Sequence, residues 1–553
     1  MNARFHIIFS ALFIAIMLPG CAQYASVSER RPKFRPVRSM ASVLGSAQQG
    51  ITTAMREQRR KPLVAVGDYL SAAQAAAAEL ERNPADTAAR DDYSFAVARV
   101  LGIIKQAKLD PVSKPLRVPA KGGDYFLSIR PDPRPQWNPA LYTFVPADEF
   151  DVRGKYVTGH TRKEGLGAPL VAIGHEKNNR RDENFGLPRT FYGVTAVIRF
   201  AGRQAIIALE DPLASEEIVL GGRSFPLAAD FTVPLAVMLA STNVKMAELP
   251  RLLHPEKFAE SARISRLQPY DPNKTVVLVV HGLMDSPATW TPMLNALRGD
   301  EQIRRNFQFW IYSYPSGYPY PYSALILRHE LDAIEKKFPL KKPMVVIGHS
   351  MGSCIARLLI TDTGDKVWTE IFRKAPGKTP LPPESRKLLA DALIFRHRPE
   401  VGRVIFISGP LRGSEMAGHP IGRIGSMFVR TPSILLGAGR DALKVVTFQG
   451  DDLRVKRMPN SVDTLAPNNR FVKAINTVPI TPDIPYHVIC GDRGRGGNKD
   501  HTQPEMSDGV VPYWSSHMPG AQSERIVPSD HSAHQNPQAI EEVKRILRCH
   551  AAQ

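Results

Sequence analysis

The spacing of apolar residues changes along this chain, and each change marks a different kind of structure. Ile7 to Met17 form one apolar stretch, too short to span a bilayer comfortably. Residues 41–61 are polar and mixed. From Pro62 the apolar positions take helical spacing, Leu63, Val66 and Leu70, and continue through an alanine-rich run to Leu80. Asn83-Pro84 stops that helix. Ala85 to Lys108 reads as a second one, with Phe95, Val97, Val100, Leu101 and Ile104 on its apolar positions. Between 111 and 190 the texture is Pro, Gly and charge with short apolar bursts such as Leu141 to Val145. Val194–Phe200, the turn Ala201–Gln204 and Ala205–Leu209 then predict a β-hairpin. From Lys274 onward, buried-type strands alternate with helical segments. Thr275–Val280, Phe307–Tyr314, Pro343–Ile347, Arg403–Ile407 and Tyr486–Ile489 are the strands, and a last helix runs from Pro537 to about Cys549. Such alternation predicts a mainly parallel sheet with helices on both faces.

With 553 residues, 43% apolar and 23% charged, the chain is globular in composition and long enough for two or three domains. The two helices around Asn83-Pro84 resemble one tetratricopeptide-type hairpin; with no second copy, it must pack on a neighbour to bury its face. The boundaries that follow are a helical hairpin at 41–112, a small β-rich accessory domain at 113–255 and a larger α/β domain at 256–553. His160 and His175 lie in accessory-domain loops without the spacing of metal ligands, and are expected at the surface.

The leader changes where this protein is expected to work. Arg4 precedes the apolar stretch, which ends in Leu18-Pro19-Gly20-Cys21. This resembles the lipobox of bacterial lipoproteins, and residues 1–20 are then a signal peptide. The resemblance implies that Cys21 becomes the lipidated first residue, held by acyl chains worth about 0.8 kcal/mol per buried CH₂. Ala22 in place of aspartate implies the outer membrane of a bacterial cell envelope. Residues 21–40 read as a basic tether: Arg30, Arg31, Lys33, Arg35 and Arg38 are broken by Pro32 and Pro36. It is either a solvated spacer or a stretch resting on anionic head groups, at about 1 kcal/mol per basic residue. The net charge of +19 does not imply nucleic acid, since no recognition module is present. Of the remaining cysteines, Cys354 reads as buried packing, whereas Cys490 and Cys549 could pair in an oxidising compartment.

The chemistry centres on Gly348-His349-Ser350-Met351-Gly352. The pentapeptide alone is weak evidence. Here it follows the apolar run Pro343–Ile347 and precedes the helical run Cys354–Ile360, and that context gives it force. Two glycines allow a turn tight enough to push a hydroxyl out above the sheet edge. Ser350 is the candidate nucleophile.

Together with Val279-Val280-His281-Gly282-Leu283, Ser507-Asp508-Gly509-Val510-Val511-Pro512 and Asp530-His531-Ser532, this motif makes residues 274–550 resemble the α/β-hydrolase superfamily, bacterial lipases and esterases in particular. The resemblance implies serine, acid and histidine in that chain order. His531, in a loop before the last helix, is the candidate base, with His534 the alternative. Asp508 matches the superfamily's acid turn, with Asp492 the alternative because the loop between them is long. Backbone N–H groups of Met351 and Leu283, or Met284 next to it, are expected to form the oxyanion hole, while His281 is expected to brace its loop.

Substrate signals are thinner. Tyr312, Tyr314, Tyr318, Tyr320 and Tyr322 either flank a pocket or belong to the core. Residues 411–450, with Ile421, Ile424, Met427, Phe428, Leu435 and Leu436, read as a cap that would exclude water and favour an apolar acyl group. The expected function is a membrane-anchored serine carboxylesterase or lipase acting on an ester or lipid, with no cofactor and no metal. An acyltransferase using the same residues, or a non-enzymatic envelope lipoprotein with a degenerate hydrolase fold, are the alternatives.

Overall fold

The computed structural model describes residues 24–36, 42–130, 138–175, 190–241, 248–415, 441, 460–494 and 496–552. Cys21, the leader and most of the expected cap lie outside these residues. Among the described residues, no helix is long and apolar enough to cross a membrane. The chain forms two compact units, the first drawn mostly from residues up to Lys245 and the second mostly from Met246 onward, with Gly174–Tyr192 also counted in the second.

In the first unit the helical region and the β-rich region form one body rather than two domains. The helices are three: Ser42–Glu57 precedes Pro62–Arg82 and Thr87–Gln106. The polar, mixed composition of 41–61 hid the first, whose buried side is small (Ala47, Ile51, Ala54). The alanine-rich helix buries Ala65, Ala72, Ala73, Ala76 and Ala77, and such small side chains let neighbouring helices approach closely. Asp86 caps the next helix, accepting a hydrogen bond from Ala89 N–H at 3.0 Å. The sheet has six strands and includes the expected hairpin as Phe191–Ala201 paired antiparallel with Gln204–Glu210.

Tyr93, fully buried, joins helix to sheet: its hydroxyl donates to Ile198 O at 2.7 Å and accepts from Ile198 N–H at 2.8 Å. The basic segment is not all free spacer. Ser26–Glu29 pairs antiparallel with Phe150–Arg153, and Arg30 donates to Asp148 O at 2.7 Å. His160 is not a bare surface residue either, since its Nε2 lies 2.7 Å from the buried Asp230 carboxylate.

The second unit is built on a seven-stranded sheet. Its strands are β1 (Arg263–Arg266), β2 (Thr275–Val280), β3 (Phe307–Ser313), β4 (Met344–His349), β5 (Val401–Ile407), β6 (Tyr486–Asp492) and β7 (Ser523–Pro528). Their spatial order is β1-β3-β2-β4-β5-β6-β7; β1 runs antiparallel at the edge and the other six are parallel. Every residue of β2 and β4 is buried, which explains their unbroken apolar sequences: a parallel strand covered on both faces has no solvent side to mark with polar residues. The order reverses between β3, β2 and β4, so the ends of β2 and β4 border the crevice where open α/β sheets bind ligands. The five tyrosines resolve toward core. Tyr312, Tyr314, Tyr318 and Tyr320 are buried, and Tyr312 donates to Ser323 O at 2.9 Å. Cys490, buried in β6, and Cys549, exposed on the last helix, are unpaired, so the contemplated disulfide is not formed; Cys354 is buried as expected.

Replacing Tyr93 by Phe removes both hydrogen bonds to Ile198 while conserving the ring. The expected cost is about 1–3 kcal/mol, read as a lower urea midpoint at unchanged m. An unchanged midpoint would show that this hydroxyl does not tie helix to sheet.

Candidate active site

Ser350 follows β4 directly and heads the helix Met351–Arg357. Its backbone sits at φ +53°, ψ −127°, a strained conformation for a residue with a side chain. The two flanking glycines are required by contact rather than by flexibility. A Cβ at Gly348 would lie 2.5 Å from Gly352 O, and one at Gly352 would lie 2.2 Å from Val280 O. The turn is thus wedged between β2 and the helix, and Ser350 N–H is held by Ile407 O of β5 at 2.9 Å.

Three of the residues named from the sequence meet here. His531 Nε2 is 2.8 Å from Ser350 Oγ, and His531 Nδ1 is 2.8 Å from Asp508 Oδ2. Since β6 and β7 are adjacent, the loops after them converge: Asp508 follows β6 by way of a long loop, and His531 follows β7. Asp508 is almost fully buried and sits in a turn closed by the bridge between Ser507 and Pro512. Its Oδ1 accepts from Val510 N–H at 2.9 Å and Val511 N–H at 2.8 Å. Burial pushes its carboxyl pKa up, but the His531 hydrogen bond and charge and these two N–H groups outweigh it, and the net direction is down. The result is an ionised carboxylate that accepts from Nδ1–H and leaves Nε2 able to take a proton from Ser350.

The two alternatives are placed elsewhere. Asp492 ends β6 and accepts from Gly494 N–H at 2.9 Å and Gly497 N–H at 2.7 Å, so its carboxylate closes the following loop and does not face an imidazole. It is buried, not the exposed ion-pair partner its arginine neighbours imply. His534 is buried against Trp290 and His349, with ring centroids 5.1 Å and 3.9 Å away. Burial first, then the nearby His349, holds its pKa well below the usual value, so it stays a neutral wall.

The loop after β2 passes over the serine: a Cβ on Gly282 would lie 2.8 Å from Ser350 Cβ. Two N–H groups of this loop are already engaged: Met284 N–H donates to Ser316 Oγ at 3.2 Å and Gly282 N–H to Asp285 Oδ2 at 3.4 Å. Met351 N–H opens its helix, where no intrahelical acceptor exists. His281 is fully buried and stacked on Tyr314 at 4.3 Å. Its Nδ1–H donates to Gly282 O at 2.9 Å and its Nε2 accepts from Tyr314 N–H at 3.3 Å, which is the neutral tautomer. Its pKa is lowered to about 4, chiefly by burial, against the opposing charge of Asp285.

Two residues of this region were not singled out from the sequence, although both lie inside the quoted motifs or beside them. His349 Nδ1 is 3.3 Å from Asp285 Oδ2, and His349 Nε2 donates to His531 O at 2.7 Å. Asp285, His349 and His534 have ligand-type atoms within 4.8 Å of one another, one such cluster among the described residues. Within it only Asp285 and His349 are hydrogen-bonded to each other; the buried His534 Nδ1 has no hydrogen-bond partner among the described residues. A cavity of about 820 Å³, lined by Arg357, Arg412, Tyr486, Met518 and Gln522 among others, includes none of Ser350, His531 and Asp508.

This unit has the α/β-hydrolase fold. Residues 276–543, just under half of the chain, match the model of the alpha/beta hydrolase family, which supports a hydrolase. Similar solved structures include a Bacillus licheniformis lipase, BlEst2, in mature form (16% identity over 52% of this chain and 98% of that one, TM-score 0.32). EstA from Clostridium botulinum is similar at 15% identity over 51% of this chain and 86% of that one, TM-score 0.29. A putative lipase from Acinetobacter baumannii is similar at 13% identity over 55% and 97%, TM-score 0.25. No curated protein matches the chain at a significant level.

A buried neutral histidine makes stability depend on pH with a definite sign. The unfolded chain protonates His281 near 6.5 and the folded one only near 4, so its contribution is whole above 6.5 and is lost as pH falls toward 4. The loss is on the order of 3 kcal/mol. His281→Asn should flatten the pH 7-to-4 fall in unfolding free energy by about that amount; parallel profiles for variant and wild type would refute it.

Proposed function

We propose that this chain is a serine hydrolase of carboxylic esters, working through an acyl-enzyme. The observation that carries the reading is the hydrogen-bonded series Asp508–His531–Ser350, with both links at 2.8 Å and the serine on a strained turn. Ser350 Oγ attacks the ester carbonyl carbon while its proton passes to His531 Nε2. Leu283 and Met351 N–H groups stabilise the oxyanion, each worth about 3–4 kcal/mol in the transition state. Collapse expels the alcohol, which takes the proton from His531. Water, deprotonated by His531, then attacks the acyl-serine; the carboxylic acid leaves and Ser350 regains its proton. Asp508 stays ionised throughout, holding the imidazole in the required tautomer and balancing its transient charge. Because these residues supply nucleophile, proton shuttle and oxyanion donors, the reading calls for no cofactor.

We further place this hydrolase at the bacterial outer membrane, anchored through lipidated Cys21, on the strength of Leu18-Pro19-Gly20-Cys21-Ala22. The apolar character of residues 421–436 favours a neutral acyl group.

Ser350→Ala should fold normally, lose fluorophosphonate labelling and lose about a millionfold in kcat on short-chain p-nitrophenyl esters. Asp508→Ala should lose about ten-thousandfold and Asp492→Ala less than about tenfold. Retained turnover in Ser350→Ala, or the reverse ranking of the two aspartates, sinks the assignment. For the anchor, Cys21→Ser should move the protein from the membrane fraction to the soluble one; an unchanged distribution would rule out lipidation as the tether.

A further inference from the structure

His531, the proposed base, is carried on a loop, yet its ring must keep two 2.8 Å contacts at once. Something has to hold the backbone of that loop. Ser529 N–H donates to Asp492 O at 3.0 Å where the loop begins, and at the base itself His349 Nε2 donates to His531 O at 2.7 Å. A carbonyl oxygen only accepts, so Nε2 must carry hydrogen. On its other side His349 Nδ1 meets Asp285 Oδ2 at 3.3 Å. Both ring nitrogens thus face oxygen atoms, which fixes the orientation of the ring. The pair is dry, with side chains 6% and 9% exposed, so an unpaired member would be costly.

The carboxylate does more than face His349. Asp285 Oδ2 also accepts from Gly282 N–H at 3.4 Å, and Oδ1 from Ser286 N–H at 2.7 Å. Burial raises its pKa, but the His349 hydrogen bond opposes it and the net direction is down, so it remains ionised. His534 packs its ring on His349 and limits where that ring can turn.

We propose that Asp285 and His349 are positioning residues that lock the His531 backbone, the oxyanion loop and the nucleophile turn to one another. The proposal rests on the ester-hydrolase reading above. His349 precedes Ser350 in the chain, so the nucleophile and its base share a strap one side chain long. Asp285 belongs to the loop carrying Leu283, so the same strap sets the oxyanion donor relative to both. This is a second carboxylate–imidazole pair, directed at a backbone carbonyl instead of a nucleophile.

The test is fluorophosphonate labelling rate with kcat and KM on a p-nitrophenyl ester, for folded His349→Ala, His349→Gln, Asp285→Ala and Asp285→Asn. Displacing a base by about 1 Å costs about a hundredfold, so both alanine variants should lose that much in kcat and labelling rate, with KM within about twofold. His349→Gln restores an N–H toward His531 O, and Asp285→Asn keeps a partner for the ring. Each should recover to within about fivefold of wild type. Wild-type rates in the alanine variants would overturn the strap while leaving the hydrolase reading intact. Losses as large in Gln and Asn as in Ala, tracking a fall in Tm, would reduce the pair to a fold-stability role and also overturn it. Stoichiometric zinc in the wild-type protein, with activity lost on chelation, would make Nδ1 a metal ligand and overturn it too. A wild-type protein that does not label at all strikes the hydrolase reading itself and the strap with it.

Discussion

A serine at φ +53°, squeezed between the end of β2 and the helix it begins, is the constraint around which the second unit is arranged. Such a conformation persists only where its surroundings over-determine it. They do so here. Ile407 O of β5 holds the Ser350 N–H, and Ser353 Oγ donates back to Gly348 O at 2.8 Å. Glycine on both sides admits backbone at distances no Cβ would tolerate. Because β2, β4 and β5 are all buried, the strain is borne by the stiffest part of the unit, and the hydroxyl ends up at the sheet's carboxyl edge.

Three aspartates near that edge, Asp492 and Asp508 buried and Asp285 largely so, show how one chemical group takes different roles according to its donors. Among the described residues Asp492 receives two backbone N–H groups and closes a loop. Asp508 receives two backbone N–H groups and the ring that reaches Ser350. Asp285 receives backbone N–H groups and the ring that reaches a carbonyl. A buried carboxylate without such donors would be expelled or neutralised, so each stays charged because its own turn supplies partners. His281 and His534 are the complement: held neutral by burial, they build walls and braces rather than move protons.

Much of this was legible in the chain. Unbroken apolar runs such as Thr275–Val280 announce strands covered on both faces, and their alternation with helices announces a parallel sheet. The hairpin at 191–210 was visible because two β-branched, apolar runs flank a glycine turn. The helix at 42–57 was not, because the buried positions described in it are two alanines and one isoleucine set among many polar residues. Nor was the union of helices and sheet in the first unit, since a contact such as Tyr93 with Ile198 joins residues far apart in the chain.

By itself the sequence determined what depends on neighbours: periodicity, the glycines that a tight turn demands, and the candidates Ser350, Asp508 and His531, each named from its local turn. Only tertiary structure brings Asp508 rather than Asp492, and His531 rather than His534, into one hydrogen-bonded series with Ser350. In each pair the two residues have similar loop surroundings and are separated by where a side chain points once β6 and β7 lie side by side. The same holds for Asp285, His349 and the carbonyl of His531, which come from the loop after β2, the end of β4 and the loop after β7. Hydrogen bonds form across ångströms of space, and a linear chain records only order.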